Sequence, residues 1–392
     1  MIESKTLSPR AALLLKAALL LVFMGASSVP SPLYALYRQA WGFSAVALTG
    51  VFAVYAFGML ASLLTVGSLS DHVGRRPVIL GAVLLELLSL LLFLFAGSVG
   101  MLVAARLLQG IATGAALSAL GASLIDSDRH LAPLLNSAVP MLGMAVGALG
   151  SSLLVAYAPA PLHTVYAVVI ALLLALGWAA RRLPELVTPR PGALASMRPQ
   201  VAVAPSARRA FVLVLAIDVA VWALGGFFLS LGPTLARQVT GVQSPVVGGL
   251  LLATLTLSGA LGSLTLRNLA ARRLMRIGAV ALFVGLGLVL LAVAKGSAWL
   301  IFAGTALAGL GFGVGFLAAL RTVMPTVGPE QRATLMAAFL VLSYCAFSLP
   351  ALAAGFAVGR FGLTATAEVY GLLLMVLAAV ALAGSWARAE RP

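Results

Sequence analysis

Charged residues are scarce in this chain. Aspartate, glutamate, lysine and arginine make up 9% of its 392 residues, while 62% are hydrophobic. A soluble domain carries about 25% charged residues, so a water-facing surface of ordinary composition is excluded. Carboxylates are scarcer still, at 10 against 25 basic residues, and the formal net charge is +15. In a soluble protein that surplus would suggest nucleic acid; here its placement decides its meaning. The lone cysteine, Cys345, can close no disulfide within the chain. His72, His130 and His163 fall in separate loops, which speaks against a metal cluster. There is no ATP-binding loop and no nucleophile motif, so neither a cofactor nor enzymatic catalysis is expected. An integral-membrane enzyme would need several converging polar groups, and the chain offers few.

Long apolar runs fill the space that charge leaves. A membrane-crossing helix needs roughly 20 mostly apolar residues, and on that rule the chain divides into about twelve segments. They lie near 12–36, 44–70, 76–97, 100–125, 133–157, 163–181, 210–236, 244–265, 274–294, 297–321, 332–357 and 363–386. Lys5, Arg10 and Lys16 before Ala17–Val22 imitate a signal peptide, but with membrane segments throughout the rest the run reads as the first span. With the N-terminus cytoplasmic, that face receives Lys5, Arg10, Lys16, Arg75, Arg76, Arg129, Arg181, Arg182, Arg190, Arg198, Arg208, Arg209, Arg267, Arg272, Arg273, Arg276, Arg321, Arg332, Arg388 and Arg391. The other face receives only Arg38, Arg237, Lys295 and Arg360, and Arg106 is left within a helix. Positive charge stays inside, so both termini are expected in the cytoplasm.

The longest break, 181–209, is rich in proline and arginine and lacks apolar periodicity. It reads as a linker between an N-terminal half at 1–180 and a C-terminal half at 210–392, six helices each. The halves echo one another: Gly262-Ser263-Leu264 before Arg267, Arg272 and Arg273 follows Gly67-Ser68-Leu69 before Arg75 and Arg76 by about 195 residues. The echo has two extra residues, and Leu266 stands where the first copy has Asp71. The run Gly309-Leu310-Gly311-Phe312-Gly313-Val314-Gly315 has small-xxx-small spacing, which lets helix backbones approach closely; it lacks the spacing of a nucleotide loop.

The most informative stretch is Gly67-Ser68-Leu69-Ser70-Asp71-His72-Val73-Gly74-Arg75-Arg76-Pro77. It resembles the loop between helices 2 and 3 of the major facilitator superfamily, G-x-L-x-D-[RH]-x-G-R-[RK], and every defined position is filled. The resemblance implies an all-α membrane protein of twelve transmembrane helices in two pseudo-symmetric six-helix halves, with the substrate site between them. It also implies a conformational latch, in which Asp71 meets a helix end of the second half and Arg75 pairs with an acid at the end of helix 4, Asp126 or Asp128. Gly67, Gly74 and Arg76 belong to the same element. A merely topogenic loop would need the arginines alone.

Arg106-Leu107-Leu108-Gln109-Gly110 resembles the family's R-x-x-Q-G element, whose arginine is implicated in proton coupling or in orienting the substrate site. A charge at that depth marks function by default, although an arginine can also snorkel to the interface. Three acids lie within spans: Asp218 in helix 7, Glu86 in helix 3 and Glu368 near the outer end of helix 12. In the family, helices 1, 4, 7 and 10 line the cavity, so Asp218 is the expected proton carrier unless it merely pairs with Arg208 or Arg209. Glu86 then reads as a hydrogen-bonded acid between helices. Cavity candidates are Met24, Ser27, Tyr34, Tyr55, Gln109, Asn136, Met141, Met144, Trp222, Phe227, Phe312, Phe316 and Tyr344; methionine and aromatics suit varied apolar ligands.

The efflux branch usually carries G-P-x-x-G-G in helix 5. Here Ala148 stands at the proline position, though Gly143 and Gly147 keep the spacing and Pro30-Ser31-Pro32 resembles another efflux element. The sequence therefore predicts a secondary transporter of a bacterial inner membrane, embedded as a monomer in lipid, exporting drug-like or small amphipathic compounds in exchange for protons. Proton-linked import of a small metabolite is the alternative, and a non-transporting sensor or scaffold is the reading from another class.

Overall fold

The computed structural model describes residues 7–386, which are helical apart from short connections and contain no strand. Lys5, Arg388, Arg391 and both extreme termini, for which a cytoplasmic position is expected, lie outside the described residues. The first span is α1 (Pro9–Ser28) continued by α2 (Pro30–Trp41). Val29 still donates its N–H to Gly25 O, at 3.1 Å, but Pro30 has no N–H to give, so the helix breaks there and continues. After α3 (Ala45–Thr65), one helical turn, α4 (Ser70–Val73), precedes α5 (Arg75–Leu94). Gly74 separates them at φ 102°, a conformation that favours glycine. The first half continues with α6 (Val99–Ser127), capped by the Ser98 hydroxyl, then α7 (Ala132–Tyr157) and α8 (Pro161–Ala180).

The 181–209 stretch holds a single turn, α9 (Ala193–Ser196). Then follow α10 (Pro205–Ser230), α11 (Gly232–Thr240), α12 (Pro245–Thr265), α13 (Ala271–Lys295), α14 (Ala298–Val323) and α15 (Pro329–Trp386). Pro233 ends α10 much as Pro30 ends α1. At 1.5 Å per residue an unbroken α15 would be about 87 Å long, nearly three times the roughly 30 Å hydrocarbon core. Gly362, at φ 80° and ψ 167°, divides it into two arms. The described residues therefore hold 11 long apolar helices, the last of which supplies two crossings, in keeping with the twelve spans expected.

Contacts group the chain into two units, Met1–Leu33 with Val54–Pro199 and Tyr34–Ala53 with Gln200–Pro392. This grouping runs differently from the division at 180 and 210: part of the 181–209 stretch goes with the first unit, and residues 34–53 go with the second. Within the first unit α1 packs on α6 and α7, and α5 on α6 and α8. Gly143 and Gly147 of α7 lie against the backbone of Leu21 and Gly25, where a methyl group would strike carbonyl oxygens. Within the second unit the glycine run serves three neighbours of α14. Gly309 and Gly313 face Leu255 and Gly259 of α12, Gly311 faces Leu282 of α13, and Gly315 faces Ile217 and Val221 of α10. Such close approach replaces the hydrophobic drive that lipid cannot supply. Leu172, Leu373 and Val376 stay exposed, as a lipid-facing surface requires.

Candidate functional site

Arg75 organises the 67–77 loop. Its Nε donates to Asp126 Oδ2 at 3.0 Å and its Nη1 reaches Asp71 Oδ1 at 2.5 Å and Ser70 Oγ at 2.7 Å. The geometry selects Asp126 over Asp128. Asp128 Oδ1 instead accepts the N–H groups of Leu131 and His130, at 3.0 and 2.9 Å, just ahead of α7. Those backbone bonds, Leu131's first, hold its carboxyl below the ordinary carboxylate value.

Glu185, which sequence reasoning passed over, completes this cluster. Its Oε1 and Oε2 accept the N–H groups of Arg75 and Arg76, at 3.0 and 2.8 Å, the first two residues of α5. A carboxylate on a helix N-terminus meets both free donors and the positive end of the dipole. Gly74 serves this contact too, because a Cβ there would stand 2.6 Å from the Glu185 carboxylate. Arg190 N–H donates to His72 O at 2.9 Å and Ser68 Oγ to Ser196 O at 2.7 Å, so residues 185–196 are folded onto the loop. Ser118 Oγ holds Gly67 O at 2.8 Å. One signal was available: Glu185 is the sole carboxylate in 181–209.

Deeper in the first unit, Arg106 Nη1 donates to Ser27 O at 2.8 Å and to Gln109 Oε1 at 2.7 Å. The Gln109 amide in turn donates to Ala26 O at 3.1 Å and to Glu86 Oε1 at 2.9 Å. Arg106, Gln109 and Glu86 are fully buried. The guanidinium also lies 5.2 Å from the Tyr55 ring centre and 5.8 Å from that of Phe93. Ser27, Tyr55, Gln109, Arg106 and Glu86 thus form one polar chain across four helices. Met24 lies one turn from Ser27, against Gly143. Asn136 belongs elsewhere, its amide donating to Gly121 O at 3.1 Å, and Met141 is half-buried further along α7. Lys16, counted above with the surface charges, is buried: its ammonium donates to Ser123 O and Ser127 Oγ of α6, at 3.1 and 2.6 Å.

In the second unit, Asp218 is fully buried on α10. Its partner is Ser343, Oγ to Oδ2 at 2.9 Å, while Arg208 and Arg209 are exposed. The Ser343 hydroxyl also lies 2.9 Å from Phe339 O. A hydroxyl has one proton and two lone pairs. It can donate to an Asp218 carboxylate, or accept from a protonated Asp218 while donating to Phe339 O. Asp218 Oδ1 accepts no hydrogen bond of strict geometry among the described residues, and the Trp222 indole N–H, likewise without one, is the donor beside it. One turn on, Trp222 shares its face, with ring centres of Tyr344 at 4.9 Å and Phe316 at 5.6 Å. Phe312 lies between Gly225 and Gly259. Phe227 does not join this group: at 3.6 residues per turn it sits about 140° round the helix from Trp222, stacked on Tyr370 at 4.7 Å. Tyr34 pairs instead with Phe52, at 5.1 Å, and Glu368 is exposed.

The family model of the Major Facilitator Superfamily matches residues 17–351. The chain belongs to the major facilitator superfamily. It is a transporter and not an enzyme. Among solved structures, a point mutant of nucleoside transporter NupG has a TM-score of 0.75 at 14% identity, covering 96% of this chain and 100% of that one. Unmutated NupG gives 0.71 at 16%, with coverage of 96% and 99%. The human organic anion transporter MFSD10 (TETRAN) gives 0.66 at 19%, with coverage of 96% and 100%. At such identities the likeness shows the fold alone. A search of curated proteins finds no match. For a superfamily transporter, the chemistry on hand among the described residues is a fully buried carboxyl group in each unit, Glu86 bonded to the Gln109 amide and Asp218 to the Ser343 hydroxyl.

Proposed function

We propose that this transporter exports moderately apolar, cationic drug-like compounds in exchange for protons, with Asp218 as the exchanging group. The observation that carries the reading is the fully buried Asp218 carboxyl, met by the neutral Ser343 hydroxyl and with Trp222, Phe316 and Tyr344 one turn away. A buried carboxylate needs a donor or a counter-charge. A proton and an organic cation each supply one, and only one of them at a time, which couples the two. The aromatic faces favour a cation over a sugar or diacid, whose polar groups would each cost a few kcal/mol without partners. Arg106, Gln109 and Glu86 form a second proton-responsive cluster in the first unit, and Asp71, Arg75 and Asp126 act as the latch between states.

In this reading the protein works as a monomer in a bacterial inner membrane, its two halves divided by the 181–209 linker, with the Arg75, Arg129, Arg267 and Arg332 loops and both termini in the cytoplasm. The test uses purified protein in liposomes with an imposed proton gradient and a labelled lipophilic cation. Export against the gradient is expected, and Asp218→Asn should lose gradient-driven movement while still binding the cation. Inward accumulation of a sugar, organic acid or nucleoside, with no movement of the cation, would make import the function instead.

A further inference from the structure

Lys16 is a buried cation with no part in the chemistry described so far. It sits on α1, 1% exposed, and its ammonium donates to Ser123 O at 3.1 Å and to Ser127 Oγ at 2.6 Å in the last turn of α6. Neither acceptor carries a full charge. The closing carbonyls of a helix are partly negative, which helps an ammonium to stay there, but a buried cation is best served by a carboxylate. Asp126 and Glu185 are the carboxylates that act on Lys16 through space, and Arg75 is the like charge beside them.

Of the two acids, Glu185 is already engaged by the N–H groups of Arg75 and Arg76, whereas Asp126 stands next to the lysine's own site. At about 100° per residue, Ser123, Asp126 and Ser127 fall within about 100° of the α6 circumference. The Asp126 carboxylate therefore borders the face that Lys16 occupies. Arg75 comes to it from α5, with Nε at 3.0 Å from Oδ2. Because α1 and α5 both pack on α6, one carboxylate has a cation from each neighbouring helix at hand. Departure of Lys16 strands neither of its acceptors, since the Ser127 hydroxyl donates to Ser123 O at 2.9 Å by itself. A four-carbon stem lets the ammonium swing while α1 stays in place.

On the latch reading of Arg75 and Asp126, we propose that Lys16 is the second partner of Asp126: it takes the carboxylate when Arg75 lets go, so that the latch exchanges cations on one acid. While Arg75 is held, Lys16 contributes repulsion toward it. Once Arg75 leaves, Lys16 neutralises the acid that is left behind. Both effects favour release, which makes Lys16 a positioning residue that acts through Asp126. A lysine that merely braced α1 against α6 would instead help to keep the loop in place.

The sign of that difference is measurable without any substrate. Arg75 Nη1 holds Ser70 and Asp71 of α4, and the amides of His72 and Val73 donate to Leu69 O at 3.0 and 3.1 Å. The experiment is hydrogen exchange of these two amides by mass spectrometry, on the full chain in lipid nanodiscs, where exchange tracks the open population. Asp126→Asn should speed it, as the latch requires. Lys16→Met should slow it about fivefold, the size expected for an ion pair whose acid has a side chain 31% exposed. Lys16→Gln, which removes the charge and keeps a donor, should slow it similarly, so the test stands if the methionine variant fails to fold; Lys16→Arg should stay near the original rate. In an Asp126→Asn background most of the slowing should vanish. Exchange at or above the original rate in both Lys16→Met and Lys16→Gln, with Asp126→Asn still faster, would leave the latch intact and make Lys16 a brace. Undiminished slowing in the Asp126→Asn background would assign its action to another group, and no acceleration in Asp126→Asn would remove the latch and this role with it.

Discussion

Removing the Glu185 carboxylate should release the 185–196 segment from the 67–77 loop. Two charge-assisted hydrogen bonds, at 3.0 and 2.8 Å, join it to the start of α5. Hydrogen bonds to charged groups contribute about 1.5–3 kcal/mol each when well shielded. Glu185 is half-buried, so water replaces part of each bond on opening, and the pair is worth about 2 kcal/mol after that discount. At about 1.4 kcal/mol per factor of ten, Glu185→Ala should raise the population of the open segment about thirtyfold. The Arg190 amide, bonded to His72 O at 2.9 Å, reports this opening without itself touching Glu185. Its hydrogen exchange, followed by mass spectrometry where exchange tracks the open population, should accelerate by that factor, with Glu185→Gln in between because it keeps a neutral acceptor. An Arg190 amide exchanging at the original rate in Glu185→Ala, in protein whose α5 amides stay protected, would refute the reasoning.

Arg75→Ala and Asp126→Asn should each keep membrane insertion and lose most transport, since a contact of this kind biases a conformational equilibrium by about 1–3 kcal/mol; full activity in both would leave the loop a topogenic role only. Gln109→Leu removes the amide that joins Glu86 to Arg106, at about 1–3 kcal/mol for a buried polar group left unsatisfied, and should lower the melting temperature by several degrees; a Gln109→Leu variant melting with the unaltered protein would contradict the network. The Asp128 bonds to Leu131 and His130 set a pH window. Because the folded carboxyl lies below its ordinary value of 3.8, the cap's contribution is complete above that value and disappears as pH falls below it. Exchange of the His130 and Leu131 amides, corrected for intrinsic rates, should therefore stay flat from pH 7 to 5, and a midpoint near pH 6 would assign the contact to another group.

Sequence alone carried the spans, because an apolar run long enough to cross a bilayer is a local property that no tertiary contact needs to confirm. The break between 357 and 363, where α15 turns at Gly362, was legible for the same reason, as were the 67–77 loop and the Arg106 and Gln109 element, whose residues lie close together along the chain. What the sequence could not supply was the partner across a helix interface. Asp126 and Asp128 are two residues apart, and only the rotation of α6 decides that the first meets Arg75 while the second turns to α7. Glu86, 20 residues before Arg106 in the sequence, is joined to it only because α5 packs on α6 and Gln109 bridges the two. Ser343 reaches Asp218 from 125 residues away. Phe227 fell off the aromatic cluster through helix rotation, which its spacing from Trp222 already implied. The register of these contacts is set where backbones touch, at Gly143 and Gly147 on Gly25 and at Gly309 and Gly313 on α12. A glycine's place in the sequence does not name the neighbour that comes to it, so the pairing of polar groups was decided only by tertiary packing.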